Sequence, residues 1–241
     1  VTSPTNNVQS LDMNVLHPAL SDVRVRQALR LLADRPDLVK RALHGEGTTG
    51  NDLYSPHDPT YDHDIVQRAH DPDKAKWLLA QAGHPSLALT ITANAAGAPA
   101  ALVFAEQARK SGLDLKVERL DAASFAVPAP PGRAITTGGI PARGFLASAL
   151  HYDAPDAIIN RTNFLDPRFG ALINAALSQP DVEKRKPLVH EAQHIQHDRG
   201  SLLIWGFTHV RAAARDTIGG LVAEKTQFGG WRVDEFWRKD A

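Results

Sequence analysis

The sequence predicts a single α/β domain in which helices flank a mixed β-sheet. Three observations lead to this fold class. Strand, helix and strand patterns follow one another between residues 87 and 120. Helices begin at aspartate–proline pairs such as Asp71-Pro72, and the apolar run at residues 202–207 is typical of a buried strand. The chain has 241 residues, enough for one large domain or two small ones, and it shows no internal repeat.

The first third of the chain predicts one strand, three helices and a long loop. Apolar residues alternate over residues 8–15, as in a strand. Helical spacing follows a capping aspartate in residues 22–33, 34–45 and 71–83, and the last two of these also carry proline in the first turn. Residues 45–70 are rich in Gly, Pro, Asp and His and predict a loop, which at this length is usually functional or lies over a partner surface.

The middle of the chain predicts a parallel crossover. A strand at residues 87–92, a helix at 99–111 and a strand at 113–120 form a βαβ pattern, for which a right-handed connection is expected. After a proline-rich turn at residues 128–132, residues 134–137 predict a short central strand. This strand should end at Gly138-Gly139, where backbone can approach a ligand.

The last third predicts two helices and a buried strand. Residues 140–165 show no periodicity and predict irregular structure. Aspartate caps then start helices at residues 166–177 and 181–197. The strand at residues 202–207 follows, and residues 210–214 either continue it or pair with it.

Composition excludes several functional classes. Lys plus Arg and Asp plus Glu are both 27, so the chain lacks the strongly basic balance of a nucleic-acid binder. No apolar run approaches the roughly 20 residues that span a bilayer. The absence of cysteine excludes a disulfide scaffold, thiol catalysis and cysteine-ligated zinc, and it is compatible with export.

One short motif suggests metal chemistry. The sequence HEAQH at residues 190–194 fits the H-E-x-x-H pattern, in which two histidines one helical turn apart bind zinc and the glutamate acts as general base. His197 extends the same face. A zinc metallopeptidase that uses His190, Glu191 and His194 is therefore the alternative function.

The surroundings of the motif argue against catalysis. A zinc peptidase needs a further protein ligand, yet the helix ends at once in residues 198–200. The inward face is expected to hold Leu188, Ala192 and Ile195, which leaves His194 on the outer flank. A solvated amphipathic helix is the favoured interpretation, and adventitious metal binding is a weaker possibility. No nucleophile elbow or phosphate loop occurs elsewhere, so we expect no enzyme and no cofactor.

Several segments, in order and with compatible spacing, resemble family 5 extracellular solute-binding proteins of ABC importers. SDVRVRQAL at residues 21–29 is similar to the family stretch DVRVRQAL, and DPDKAK with LLAQAG at residues 71–83 is similar to YDPEKAKALLAEAG. Further similar segments lie at residues 33–35, 45–48, 54–56, 166–169, 180–193 and 207–221.

The resemblance implies a lobe with a type II periplasmic-binding-protein-like fold. Residues 1–241 would be the second, carboxyl-terminal lobe, and residues 1–15 and 222–241, including Trp231, would be hinge or interlobe segments. An amino-terminal lobe and a lipid anchor or export signal would lie upstream, which fits the absence of a signal peptide at the start. The implied location is periplasmic or extracellular, and the implied partners are a peptide or similar small solute and the importer's membrane subunits.

The resemblance also places the ligand contacts. Family members carry a tryptophan and then an aspartate after the central strand; here Gly139, Ile140 and Arg143 occupy that region. We expect Arg143 to bind an anionic group, with Asp153 as an orienting or cation-binding partner. The open alternative is that Arg143 caps a surface loop and pairs with Asp153. Weaker candidates in loops are Asn51, Tyr54 and Asn163.

Overall fold

Helices and strands alternate along the chain in a computed structural model that describes residues 1–126, 133–225 and 233–239. The strands within these residues are β1 Thr2–Met13, β2 Gly47–Thr49, β3 Ala88–Ala93, β4 Asp114–Arg119, β5 Ile135–Ile140, β6 Leu202–Arg211, β7 Ile218–Gly219 and β8 Trp237–Arg238. The helices are α1 Pro18–Ser21, α2 Val23–Leu32, α3 Arg35–Ala42, α4 Pro72–Gln81, α5 Ala98–Lys110, α6 Ala122–Ala126, α7 Phe145–Tyr152, α8 Pro167–Leu177 and α9 Val182–Arg199.

The main sheet has six strands in the order β2-β6-β1-β5-β3-β4. Strand β3 pairs in parallel with β4 and with β5, whereas β1 pairs antiparallel with β5 and β6, and β2 pairs antiparallel with β6. The mixed sheet and the parallel βαβ pairing predicted from the sequence are therefore confirmed. Strands β7 and β8 form a separate antiparallel pair.

Aspartates begin most of the longer helices, as the sequence predicts. In each case the carboxylate accepts a hydrogen bond from a backbone N–H in the first turn, which satisfies one of the donors that a helix start leaves free. Proline occupies the first turn of α3, α4 and α8, where no N–H is needed. The capping residues are Asp22, Asp34, Asp71, Asp166 and Asp181.

Several details differ from the sequence prediction, and β1 itself covers Thr2–Met13 instead of residues 8–15. Strand β5 does not stop at residue 137 but runs through both glycines to Ile140, because β1 pairs with it along that length. Residues 145–152, predicted irregular, form α7. Its first N–H, from Phe145, donates a hydrogen bond at 2.8 Å to Oδ2 of Asp58, a residue far away in the sequence. Strand β2 lies inside the predicted loop, and the predicted turn at residues 128–132 lies outside the described residues.

Two apolar cores lie on opposite faces of the sheet. Leu11 and Met13 of β1 join the core under α2, α3, α4 and α5, whereas Val8 joins the core under α7, α8 and α9. This division follows from the period-2 alternation of a strand, which sends neighbouring side chains to opposite faces. Helices thus cover both faces, as predicted. None of the helices in the described ranges is long and apolar enough to cross a membrane.

The predicted interlobe segments take part in strands. Residues 2–13 form β1, which lies between β5 and β6 in the sheet. At the other end, residues 237–238 form β8, while Trp231 lies outside the described residues. A hinge role for these segments stays a prediction.

Candidate ligand-binding site

The long loop after β2 is fixed to the helices by one buried carboxylate. Asp52 Oδ2 lies 2.7 Å from Arg35 Nη2, 2.8 Å from Arg68 Nε and 4.0 Å from Arg30 Nε. Burial by itself raises the pKa of Asp52, but the three positive charges outweigh it and hold the pKa below its usual value. The loop that carries Tyr54 therefore has a fixed position against α2, α3 and α9.

Two predicted ligand residues, Tyr54 and Asp153, contact each other inside the protein. The Tyr54 hydroxyl donates a hydrogen bond to Asp153 Oδ2, and Gln196 Nε2 donates to the same oxygen at 2.9 Å. Both Tyr54 and Asp153 are buried. Burial raises the pKa of Asp153, and the hydrogen bonds from Tyr54 and Gln196 oppose that rise. Their contacts join the loop, α7 and α9, and any contact with a ligand stays a prediction.

Three other predicted residues also have contacts within the protein. Ile140 is buried in the core under α7, α8 and α9. Asn51 fixes the loop, since its Nδ2 donates to the Val66 carbonyl at 3.2 Å and its Oδ1 accepts from Arg68 N–H at 2.8 Å. Asn163 Nδ2 donates to Asn14 Oδ1 at 3.0 Å. These contacts give each of the three residues a role in holding the fold together. Their role in binding a ligand stays a prediction.

Gly139 and Arg143 are the predicted site residues that the fold leaves exposed. The chain around Arg143 is anchored, because the Ser55 hydroxyl donates to the Arg143 carbonyl at 2.6 Å and Ala142 N–H donates to Asn7 Oδ1 at 2.9 Å. Within the described ranges, no ion pair engages the Arg143 guanidinium. The alternative pairing with Asp153 does not occur, since Asp153 is bound by Tyr54 and Gln196.

Asp12, on β1, was not singled out by the sequence reasoning. It is buried, and Ser10 Oγ donates a hydrogen bond to its Oδ1 at 2.6 Å. Burial raises the pKa of Asp12 to about 6, although the Ser10 hydrogen bond and the charge of Arg161 oppose the rise. The alternation of side chains in β1 could have revealed Asp12. It places Ser10 and Asp12 on the same face as Val8, where apolar residues are expected.

Gly138 leaves room for this carboxylate. A Cβ atom at Gly138 would overlap the Asp12 carboxylate and the Ser10 hydroxyl, whereas a Cβ atom at Gly139 would meet only the Val8 carbonyl oxygen, at 3.6 Å. The two adjacent glycines of β5 therefore differ in the space beside them. The first is required by packing, and the second is not.

We expect Gly138→Ala to lower the free energy of unfolding by about 1–3 kcal/mol, because the added methyl group must displace a buried, hydrogen-bonded carboxylate. Gly139→Ala is the matched control and should change stability by less than about 0.5 kcal/mol. Urea denaturation followed by circular dichroism measures both. Equal stability of the two variants would contradict the packing argument.

Tyr152 is the last residue of α7. Its ring is buried, and its hydroxyl makes no hydrogen bond to any residue in the described ranges. Burial raises the pKa of Tyr152, and the positive charges of Arg143 and Arg161 both oppose the rise. Arg161 is exposed and follows α7 by a short loop.

The HEAQH segment is part of α9, and other side chains engage its histidines and its glutamate. His190 Nδ1 and His194 Nε2 lie 3.5 Å and 3.3 Å from Asp62 Oδ2. Glu191, the required general base, is held by Arg168 through hydrogen bonds of 2.7 Å and 2.8 Å. In the parts of the chain that the structure describes, no three His, Asp or Glu side chains are arranged to hold a metal ion. Nothing here supports a metallopeptidase.

Solved structures share this fold over the whole chain. The structure of HbpA2 from Haemophilus parasuis matches with a TM-score of 0.87 and 21% identity, covering 100% of this chain and 50% of that one. The oligopeptide-binding protein AppA from Bacillus subtilis, in complex with a nonapeptide, matches with a TM-score of 0.82 and 19% identity, covering 100% and 52%. The protein therefore has the mixed α/β fold of type II periplasmic binding proteins.

Sequence comparison identifies the family. The model of bacterial extracellular solute-binding proteins, family 5 Middle, matches residues 1–192, and the chain belongs to this family. The dipeptide-binding protein of Escherichia coli (strain K12) is 27% identical over 236 residues, which are 92% of this chain and 44% of that protein. The chain thus spans somewhat less than half the length of curated relatives that it matches.

Proposed function

We propose that this chain is the second lobe of a two-lobed protein that binds a peptide or similar small solute and delivers it to an ABC importer. The observation that carries the proposal is the family match over residues 1–192. The E. coli relative is a dipeptide-binding protein, and the B. subtilis neighbour was solved with a nonapeptide. The part of each relative that this chain does not match corresponds to the other lobe. The solute binds in the cleft between the two lobes.

The contribution of this lobe to the cleft lies at the end of β5. Gly139 is exposed there, so its backbone is open to a ligand, and the anchored Arg143 extends beyond it. Ile140 and Tyr54 belong to the apolar core behind the end of β5, and Asp153 holds Tyr54 there through a hydrogen bond. Asn51 and Asn163 fix loops through their own contacts, with Val66 and with Asn14.

The protein acts by binding and release, without covalent chemistry. Its partners are the solute, the amino-terminal lobe and the importer's membrane subunits, and it works in the periplasm or outside the cell, attached by an upstream lipid anchor or by the importer itself. Family membership supports this view. The HEAQH motif does not argue against it, because Arg168 engages Glu191, the residue that would have to act as general base.

We expect the full-length protein to close around its solute. Small-angle X-ray scattering with and without a mixture of di- and tripeptides should show a smaller radius of gyration with peptides present, since two lobes move together about a hinge. A bound solute at about one hundred times its Kd should also stabilise the fold by about 2.7 kcal/mol. If peptides alter neither the radius of gyration nor the melting temperature, the proposed function is wrong for peptides.

A further inference from the structure

Strand β4 forms one edge of the main sheet. Among the described strands it pairs only with β3, in parallel. The strand at the opposite edge, β2, has three residues, whereas β4 has six. An edge strand presents a row of backbone groups that another strand can pair with, and a longer edge presents more of them. In the part of the chain that the structure describes, β4 is therefore the longer of the two open edges.

The direction of the backbone groups in β4 follows from its first residue. Asp114 N–H donates a hydrogen bond to the Leu87 carbonyl, toward the β3 side, at 3.3 Å. Backbone groups of successive strand residues point alternately to the two sides of a strand, so the even-numbered residues of β4 point toward β3. The N–H and C=O groups of Leu115, Val117 and Arg119 point outward and are available to a further strand.

An apolar groove lies beside this edge. A cavity of about 490 Å³ separates α5 from the outer side of β4, and charged residues complete its lining. Leu102 of α5 is 59% exposed here, and an exposed leucine beside an open strand favours association, because contact with a partner removes it from water. The apolar residues that line the groove are Leu102, Ala105, Leu113, Leu115 and Val117.

The charges of β4 are complementary to those of a second β4. Lys116 and Glu118 are both exposed, and neither forms an ion pair with a described residue. In an antiparallel pair of two β4 strands with Val117 opposite Val117, Lys116 of each copy lies opposite Glu118 of the other. Directly opposed charges of opposite sign stabilise an antiparallel pair, and this arrangement has two such pairs.

Neighbouring registers of the same pair are unfavourable. Only the outward-pointing residues can form hydrogen bonds across the junction, so these registers are centred on Lys116 or on Glu118. The first places Lys116 opposite Lys116 and Asp114 opposite Glu118, and the second places Glu118 opposite Glu118. Like charges directly opposed are destabilising. The charges that would keep other strands away from this edge therefore select one register with a second copy.

We propose that two copies of this protein associate through β4, in an antiparallel pair whose two-fold axis passes by Val117. The axis is perpendicular to the sheet, so both α5 helices lie on the same face of one continuous sheet and Leu102 of each copy covers the junction. Each copy contributes the same surface, as in other two-fold dimers. A single strand pair is a small interface, so the dissociation constant is expected to be on the order of 10 µM. The proposal goes beyond solute binding and does not depend on it.

The test is sedimentation velocity of the full-length protein from about 1 µM to about 200 µM, a range that spans a weak association. The wild type should pass from monomer to dimer. Lys116→Glu and Glu118→Lys each replace the two opposite-charge pairs by like-charge pairs, so each should weaken the dimer by about tenfold or more. An equimolar mixture of the two variants should dimerise as the wild type does, because the variants carry opposite charges along β4.

Lys184→Glu is the matched control. Lys184 is also exposed, but it lies on α9, which covers the opposite face of the sheet from α5, and this variant should dimerise as the wild type does. All variants should keep the melting temperature of the wild-type monomer, since the changed side chains are exposed. A wild type that stays monomeric throughout the range would overturn the proposal. A dimer that withstands both charge reversals, or a mixture of the two variants that stays monomeric, would also overturn it, because the contact would then not be the β4 pair.

Discussion

Asp52→Asn is expected to lower the free energy of unfolding by about 3–5 kcal/mol, because it leaves buried positive charges without their counterion. Asp52 Oδ2 lies 2.7 Å from Arg35 and 2.8 Å from Arg68, and both Asp52 and Arg35 are almost completely buried. Asparagine keeps the size of the side chain and removes only its charge. Urea denaturation at pH 7 measures the loss.

Glu191→Gln is the control for this change of charge. Glu191 pairs with Arg168 at 2.7 Å, but the side chains are 47% and 58% exposed, so solvent screens the interaction. An exposed pair of this kind adds little to stability. If Asp52→Asn costs no more than Glu191→Gln, the arginine cluster is not what fixes the loop.

The same cluster predicts how acid affects stability. The pKa of Asp52 is lower in the folded protein than in the unfolded chain, so its contribution is fully present above the unfolded-state pKa. That contribution is lost as the pH falls through the folded-state pKa, because the proton removes the negative charge. The destabilisation by Asp52→Asn should therefore shrink as the pH is lowered below about 4.

Asp12→Asn is expected to have the opposite effect and to stabilise the protein at neutral pH. Burial raises the pKa of Asp12 from 3.8 to about 6, which corresponds to roughly 3 kcal/mol. The unfolded chain loses this proton at lower pH than the folded protein, so the wild type becomes less stable as the pH rises from about 4 to about 6. Asparagine has no proton to lose and can still accept the hydrogen bond from Ser10.

The measurement is urea denaturation of wild type and Asp12→Asn at pH values from 4 to 8. The variant should be more stable by up to about 3 kcal/mol above pH 6, and the difference should approach zero near pH 4. Asp114→Asn, at an exposed aspartate in β4, should change stability by less than about 0.5 kcal/mol throughout. A variant of Asp12 that is less stable than wild type at pH 7 would show that the ionised carboxylate is stabilising.

Signals close together in the sequence determined most of the elements. An aspartate cap, with a proline in the first turn, starts α4 and α8 at the predicted residues, since both act on backbone groups within a few positions. The strand–helix–strand pattern at residues 87–120 likewise predicted the parallel pairing of β3 and β4. The ordered similar segments predicted the family that the comparison of residues 1–192 shows.

The tertiary structure alone decided which polar side chains are buried and which are exposed to solvent. Tyr54 and Asp153 are 99 positions apart in sequence, and their hydrogen bond exists only because the loop and α7 meet. Asp12 is buried against Gly138 of a neighbouring strand. Likewise, α7 is capped by Asp58, 87 positions before it in sequence.

The predicted site residues differ in the same respect. The sequence singled out Gly139 and Arg143, and the fold leaves both exposed, whereas Tyr54, Asp153 and Ile140 lie inside. Caps and strand alternation act over a few residues and can be read from a single sequence. Exposure, ion pairing and pKa depend on groups that distant segments bring together, and for that reason the buried carboxylate of Asp12 emerged only from the folded chain.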